Sequence, residues 1–339
     1  MGKILKEILS LESLQIGYVT GKKETVLLPP LNASADGGEL IAVIGRNGIG
    51  KSTLLRTLTG LQKPLGGEIY YDEKSIREYS RMELAQKVGY ISTEIVKVSN
   101  MTVYDLVALG RFPHTNWIGK IEKTDDEAIL DAIEKTSMTS FCRKFVSELS
   151  DGERQKAMIA RILAQDSAIM IMDEPTAFLD IAGKYEIFHL LHKLSAYNNK
   201  TIIFSTHDLQ MAISQSDKIW LILDNQLIEG APEDLMLSGA FDNLFHSSSV
   251  QFNSSDGTFS FRSDPPGSIY IDGESVKRYW TEKAINRAGY KISIEMTDPY
   301  IIIPSENNTK WRLESASGNQ DFTSVYELIT YLNKALRLT

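Results

Sequence analysis

The segment ELIAVIG, ending at Gly45, is a nearly continuous apolar run, the pattern of a strand buried on both faces. It passes into KSTLLRTLTGL, where Leu54, Leu55, Leu58 and Leu61 recur at helical spacing. SAIMIMDEP predicts another buried parallel strand, ending in two carboxylates, and VGYIS a further strand. MTVYDLVALGR and ERQKAMIARILAQ read as helices, the second amphipathic. Further on, VQFNSSDGTFSFR is hairpin-like around an Asp-Gly turn, and SDPPGS at Ser263–Ser268 reads as a linker. Beyond it the pattern changes: SIYIDG predicts a strand, and ESVKRYWTEKAINRAG a helix with Val276, Trp280, Ala284 and Ala288 on one face. KISIEMT, YIII and KWRLES alternate as strands, and SVYELITYLNKAL closes as a helix burying Val325, Leu328, Leu332 and Leu336. The expected division is therefore 1–262, an α/β domain, and 263–339, a small α+β domain.

Composition narrows the class. A chain of 339 residues can bury a large core, and 42% hydrophobic with 24% charged residues is an ordinary globular balance. A net charge of −8 argues against bulk attraction to nucleic acid. Cys142 is the only cysteine, which excludes an intrachain disulfide and fits a reducing compartment. The opening MGKILKEILSLESL is broken by charges, unlike a signal peptide, and no apolar run approaches the ~18–20 residues that span a bilayer. A cytosolic chain, able to dock on a membrane protein, is expected.

Four short segments carry chemistry: GRNGIGKST at Gly45–Thr53, LSDGE at Leu149–Glu153, IMIMDEP at Ile169–Pro175 and STHD at Ser205–Asp208. The first is a G-x-x-x-x-G-K-[ST] phosphate cradle between a predicted strand and helix, the context that such a match requires. Gly45, Gly48 and Gly50 let the backbone aim N–H groups at phosphate oxygens, with Arg46, Asn47, Ile49 and Thr53 completing the loop. Lys51 is expected to reach the β- and γ-phosphates and Ser52 to ligate Mg²⁺. Asp173, at a strand's carboxyl end, is placed to hold the metal, and Glu174 to orient or deprotonate an attacking water. Binding ATP would not need Glu174; hydrolysing it does. LSDGE begins a helix whose N-terminus is itself an anion site. The cradle already fills that role in its own subunit, so a second phosphate site makes sense if it serves another copy's nucleotide.

With these segments in order, the chain resembles an ATP-binding cassette (ABC) ATPase from about Ser13 to about Arg262. The resemblance implies a P-loop NTPase fold with a parallel core sheet, an antiparallel β edge and a helical subdomain. It implies that Ser150 and the Gly152 backbone bind the γ-phosphate of ATP held by the facing subunit, in a head-to-tail dimer. By the same resemblance Tyr18 stacks on adenine, Asp180 lies in the loop that crosses the dimer interface, and His207 contacts the γ-phosphate. Tyr18 as a plain strand aromatic, and Asp151, Asp180 and Asp208 as helix caps, are the bland alternatives. One departure stands out: the family usually carries a metal-touching glutamine after the strand that reads VGYIS here. Thr93 falls at that position and Glu94 follows; either is expected to serve the metal, or a water to bridge from the shorter Thr93 hydroxyl, with Glu94 the hypothesised metal-linked relay.

TVYDLVALGRFPH at Thr102–His114 and LSDGERQKAMIARILAQD are similar to importers of ferric siderophores, haem and cobalamin, where the former packs against a polytopic membrane permease. The implied function is the ATPase subunit of such an importer, peripheral on the cytoplasmic face of the cell membrane and fed by a separate substrate-binding protein. An exporter ATPase is an alternative, as is a cassette acting on ribosomes or chromosomes. A single phosphate loop and no sustained heptads argue against the latter. The extra C-terminal domain has no His or Cys, excluding imidazole and thiolate metal sites, and is expected to be a docked, dimer-stabilising appendage or a regulatory module.

Overall fold

The structure is a computed structural model; it describes all residues except 1–5, 94–99, 116–118, 225, 246–249, 254–256, 262–266, 305–308, 317 and 337–339. Two compact units are present, Met1–Leu244 and Phe245–Thr339.

The first unit begins with strands β1 (Glu7–Gln15), β2 (Gly17–Thr20), β3 (Lys23–Val26), β4 (Leu31–Asp36) and β5 (Leu40–Gly45). Helix α1 (Lys51–Leu58), β6 (Gly66–Tyr71), β7 (Lys74–Ser75), α2 (Arg81–Lys87) and β8 (Val88–Ile91) follow. Then come α3 (Val103–Ala108), α4 (Lys123–Lys135), α5 (Asp151–Ala164), β9 (Ile169–Asp173) and α6 (Ile181–Asn198). The unit closes with β10 (Thr201–Ser205), α7 (Leu209–Gln215), β11 (Lys218–Ile222), β12 (Leu227–Gly230) and α8 (Pro232–Leu237).

The apolar runs form the sheet that the pattern predicts. Its order is β12-β11-β5-β10-β9-β8, with β11, β5, β10, β9 and β8 mutually parallel and β12 antiparallel at one edge. Every residue of β9 and β10 is buried, as expected of strands covered on both faces. The separate antiparallel sheet β4-β1-β6-β7 alternates instead, β4 burying Leu31, Ala33 and Ala35. Leu54, Leu55 and Leu58 of α1 join a core cluster that includes Leu9, Ile69, Val43 and Ile171, so α1 packs between the two sheets. Leu61 departs from the helical pattern: α1 ends at Leu58, and Leu61 is exposed. Helices α3, α4 and α5 pack together as the helical subdomain. The Arg111 guanidinium ties it, donating to Asp125 at 2.9 Å and to the Ala164 carbonyl at 2.8 Å in a buried pair.

The second unit holds the predicted hairpin, β13 (Val250–Asn253) with β14 (Thr258–Phe261), and a mixed sheet of order β16-β15-β17-β18-β19. These strands are β15 (Ser268–Asp272), β16 (Lys291–Ser293), β17 (Tyr300–Ile302), β18 (Trp311–Glu314) and β19 (Gln320–Phe322), joined by α9 (Val276–Arg287) and closed by α10 (Val325–Leu336). Its own core contains Ile269, Ile271, Ile285, Ile301, Leu313, Leu328 and Leu332. Two sequence expectations are corrected. Helix α9 buries Thr281, Ala284 and Ile285, whereas Val276 and Trp280 are 74% and 62% exposed. The buried stripe keeps Ala284 of the predicted one and turns from there toward Thr281 and Ile285; Ile285 joins the core and Thr281 accepts from the Trp311 indole N–H at 3.0 Å. The strand in KISIEMT is short, ending at Ser293, and Ile294 and Met296 are exposed. Val325 is half-buried, and the side chain of Leu336 lies outside the described residues.

Candidate functional site

Parallel strands carry their carboxyl ends to one edge, and the registers bring four of those ends together. Ser205 of β10 stands opposite both Val43 of β5 and Asp173 of β9, and Ile91 of β8 stands opposite Met172. The loops following β5, β9, β10 and β8 therefore converge, with β5 at the point where connections leave to opposite sides of the sheet.

After β5 the chain wraps into the cradle. Gly50, the residue preceding α1, has φ 116° and Gly48 φ 79°, values that favour glycine. At Gly45 a Cβ would stand 2.9 Å from the Ile222 carbonyl oxygen, so the strand end also requires glycine. Tyr18, Asn47, Gly48, Gly50, Lys51, Ser52, Thr53, Glu174 and His207 line one open cavity of about 470 Å³, a volume suited to a small organic ligand. Lys51 Nζ donates to the Gly45 and Arg46 carbonyls at 2.8 and 3.2 Å. Burial pulls the Lys51 ammonium below the usual lysine range, against the opposing pull of the Glu174 and Asp173 charges. The Tyr18 hydroxyl bonds to Thr53 Oγ1 at 2.6 Å, which holds the half-exposed ring at the cavity. Arg46 instead faces Asp224 at 3.6 Å, and Ile49 packs on the core.

The two carboxylates occupy distinct surroundings. Asp173 is buried and accepts a 2.6 Å bond from the Ser205 hydroxyl. Glu174 turns away because its backbone is left-handed, φ 51°, a conformation that costs a side-chain-bearing residue energy and is over-determined here by its N–H donating to Ser205 Oγ at 2.9 Å. Its carboxylate then lies 3.5 Å from His207 Nδ1. Glu174 also lines a second, smaller cleft with Thr93, Asp151, Arg154, Gln155, Asp173 and Phe178. Among the described residues there is no group of three or more His, Cys, Asp or Glu side chains able to hold a metal alone. A hydroxyl and a carboxylate, Ser52 and Asp173, suit a hard cation that takes its remaining ligands from phosphate and water.

Ser150, Gly152 and Asp180 are not brought to the nucleotide-sized cavity. Ser150 is the N-cap of α5: its side chain accepts from Glu153 N–H at 3.3 Å and Glu153 returns a bond from Ser150 N–H at 2.8 Å. That return bond holds the Glu153 carboxyl below its usual range. A Cβ at Gly152 would meet nothing within 4 Å, and the residue itself is half-buried. Asp180 caps α6 through Gly183 N–H at 2.8 Å, and Asp208 caps α7 through Met211 N–H at 3.2 Å. Thr93 is exposed and reaches the smaller cleft; Glu94 lies outside the described residues. Sequence reasoning gave no role to Ser205, which joins both carboxylate residues. Its position in STHD was visible, but its partner depends on the β9–β10 register.

Comparison with known proteins agrees with this geometry. The family model described as "ABC transporter" matches residues 28–177, and "Iron ABC transporter C-terminal domain" matches 266–333. An uncharacterized ABC transporter ATP-binding protein of Methanocaldococcus jannaschii is 36% identical over 76% of this chain and 88% of its own. The probable siderophore transport system ATP-binding protein YusV of Bacillus subtilis is 35% identical over 70% and 85%. The ferric enterobactin transport ATP-binding protein FepC of Escherichia coli is 34% identical over 69% and 85%. Among solved structures, cbiO1 of Clostridium perfringens, part of the ABC transporter complex cbiONQ, superposes with a TM-score of 0.61 at 28% identity, covering 71% of this chain and 94% of that one. The dimeric bacterial ABC transporter cassette MJ0796 gives 0.58 at 26% identity, covering 66% and 99%.

Proposed function

This chain belongs to the ABC transporter ATP-binding family, and from that premise we propose that it is the ATP-hydrolysing subunit of an importer that takes up an iron–siderophore or similar metal chelate. The observation that carries the reading is the convergence of Lys51, Ser52, Tyr18, Glu174 and His207 on one cavity. The C-terminal match to an iron transporter domain and the siderophore and enterobactin names of the relatives support the cargo class.

In this reading the cradle amides and Lys51 bind the β- and γ-phosphates, exchanging the lysine's bonds to the Gly45 and Arg46 carbonyls for stronger charge-assisted ones. Tyr18 stacks on the base. Ser52 and Asp173 would hold Mg²⁺, which neutralises charge on the phosphate oxygens; Thr93 or Glu94 is the further ligand expected from the sequence. Glu174 takes the proton of the attacking water, and His207 beside it senses the γ-phosphate. Ser150 and Gly152 lie outside this cavity and serve the nucleotide of a second, head-to-tail copy, with Asp180 at the crossing. Among the described residues no helix is long and apolar enough to cross a membrane. We place the chain on the cytoplasmic face of the membrane, docked on a polytopic permease through the exposed Leu109 and Phe112, with a substrate-binding protein delivering cargo. Residues 1–262 are assigned to the motor and 263–339 to an appended domain, although the hairpin β13–β14 falls in the second compact unit, which begins at Phe245.

The test is Glu174→Gln. That variant is expected to bind ATP and pair with a second copy, yet hydrolyse roughly 10²–10⁴-fold more slowly, the usual contribution of a general base. Full turnover by Glu174→Gln removes Glu174 from the mechanism. Copurification of the chain with a polytopic membrane protein checks the transport role.

A further inference from the structure

Gln155 projects from α5 into the smaller cleft, of about 50 Å³, which it lines together with Thr93, Arg154, Asp173 and Glu174. Its Nε2 is buried and has no hydrogen-bond partner among the described residues. Buried amides are ordinarily satisfied, so an unpaired one beside a catalytic carboxylate calls for a reason. The charged groups lining the cleft have partners. Arg154 donates to Asp151 at 2.8 Å and to the Leu149 carbonyl at 2.9 Å. Asp173 accepts from Ser205. Glu174 lines both the cleft and the nucleotide-sized cavity, so it stands between them, and His207 reaches it from the cavity side. The cleft has room for a few water molecules.

We propose that Gln155 is a positioning residue for Glu174: its amide donates through one water in the cleft to the Glu174 carboxylate and fixes the oxygen that faces the attacking water. The donor is rigidly carried. Gln155 lies in the second turn of a capped helix whose following residues Ala157, Ile159 and Ala160 are fully buried. A glutamine is suited to this task because it donates without adding a charge that would suppress the basicity of the carboxylate. The assignment rests on the proposed ATPase reading and adds a residue to it that none of the four motif roles includes.

The experiment compares Gln155→Leu, which keeps bulk and loses the donor, with Gln155→Glu, which keeps shape and replaces the donor by an acceptor. In both, kcat for ATP is expected to fall about tenfold while KM stays within about twofold, since only transition-state geometry is lost. The Tm of Gln155→Leu should be no lower than the parent's, because the lost amide has no direct partner among the described residues and its buried donor is replaced by an apolar group. In a Glu174→Gln background, Gln155→Leu should cause no further loss, because the two act as a unit. Parent-like kcat in either single variant overturns the proposal, as does a loss in KM and Tm together, or an additive loss in the double variant. If Glu174→Gln alone retains full turnover, it is the ATPase reading that fails, and the two failures are distinguishable.

Discussion

Tyr18 shows how much one side chain contributes at the rim of the cavity. Its ring is half-exposed while its hydroxyl is anchored to Thr53, the third residue of α1. A flat apolar face held at a nucleotide site contributes about 1–3 kcal/mol by stacking. Tyr18→Ala is therefore expected to raise the Kd for ATP by roughly tenfold to a hundredfold, measured by fluorescent-nucleotide titration. Tyr18→Phe keeps the face and gives up only the bond to Thr53, so its affinity should stay within about threefold. Equal losses in the two variants would assign the effect to the hydroxyl instead. Tyr18, Lys51, Glu174 and His207 were all legible as residues of the site from motif order and resemblance. Ser205 was not, because its link to Asp173 and Glu174 is made across strands that are about thirty residues apart in the chain.

Helix α5 carries two properties in one short sequence. Ser-Asp-Gly-Glu is a capping box, and it fully explains the start of the helix without any ligand. A helix N-terminus of this kind also favours an anion, the second role proposed for Ser150 and Gly152. Substitution at Ser150 separates the two. Ser150→Ala should lose about 0.5–2 kcal/mol of stability with the cap. Ser150→Asp caps equally well, so its Tm should match the parent's, but its charge would repel a phosphate and ATPase turnover should collapse. Parent-like turnover by Ser150→Asp would reduce Ser150 to a cap. Helix α9 gives the opposite lesson about periodicity. Apolar residues at four-residue spacing, Val276 and Trp280, mark its exposed side, and the face turned to the core carries Ala284, Ile285 and Thr281, the last bonded to Trp311. Apolar spacing could not announce a buried threonine.

At the scale of the whole molecule, every residue lining the nucleotide-sized cavity falls between Tyr18 and His207, inside the unit that ends at Leu244. That unit has its own core, as does the second. A chain truncated after Leu244 is accordingly expected to fold and to bind ATP within about threefold of the full chain's Kd, checked by calorimetry. Loss of ATP binding on truncation would show that the second unit supports the site. The parallel core strands, the phosphate cradle, the amphipathic α5 and the α+β character of the C-terminal part were determined by the sequence itself, because apolar runs, glycine spacing and helix caps act over a few residues. Tertiary structure alone decided which carboxylate oxygen meets which hydroxyl, that Glu174 takes a left-handed backbone, and that an unpaired Gln155 amide enters the cleft beside it. Those outcomes depend on strand register and on packing between residues distant in the chain, where local periodicity carries no information.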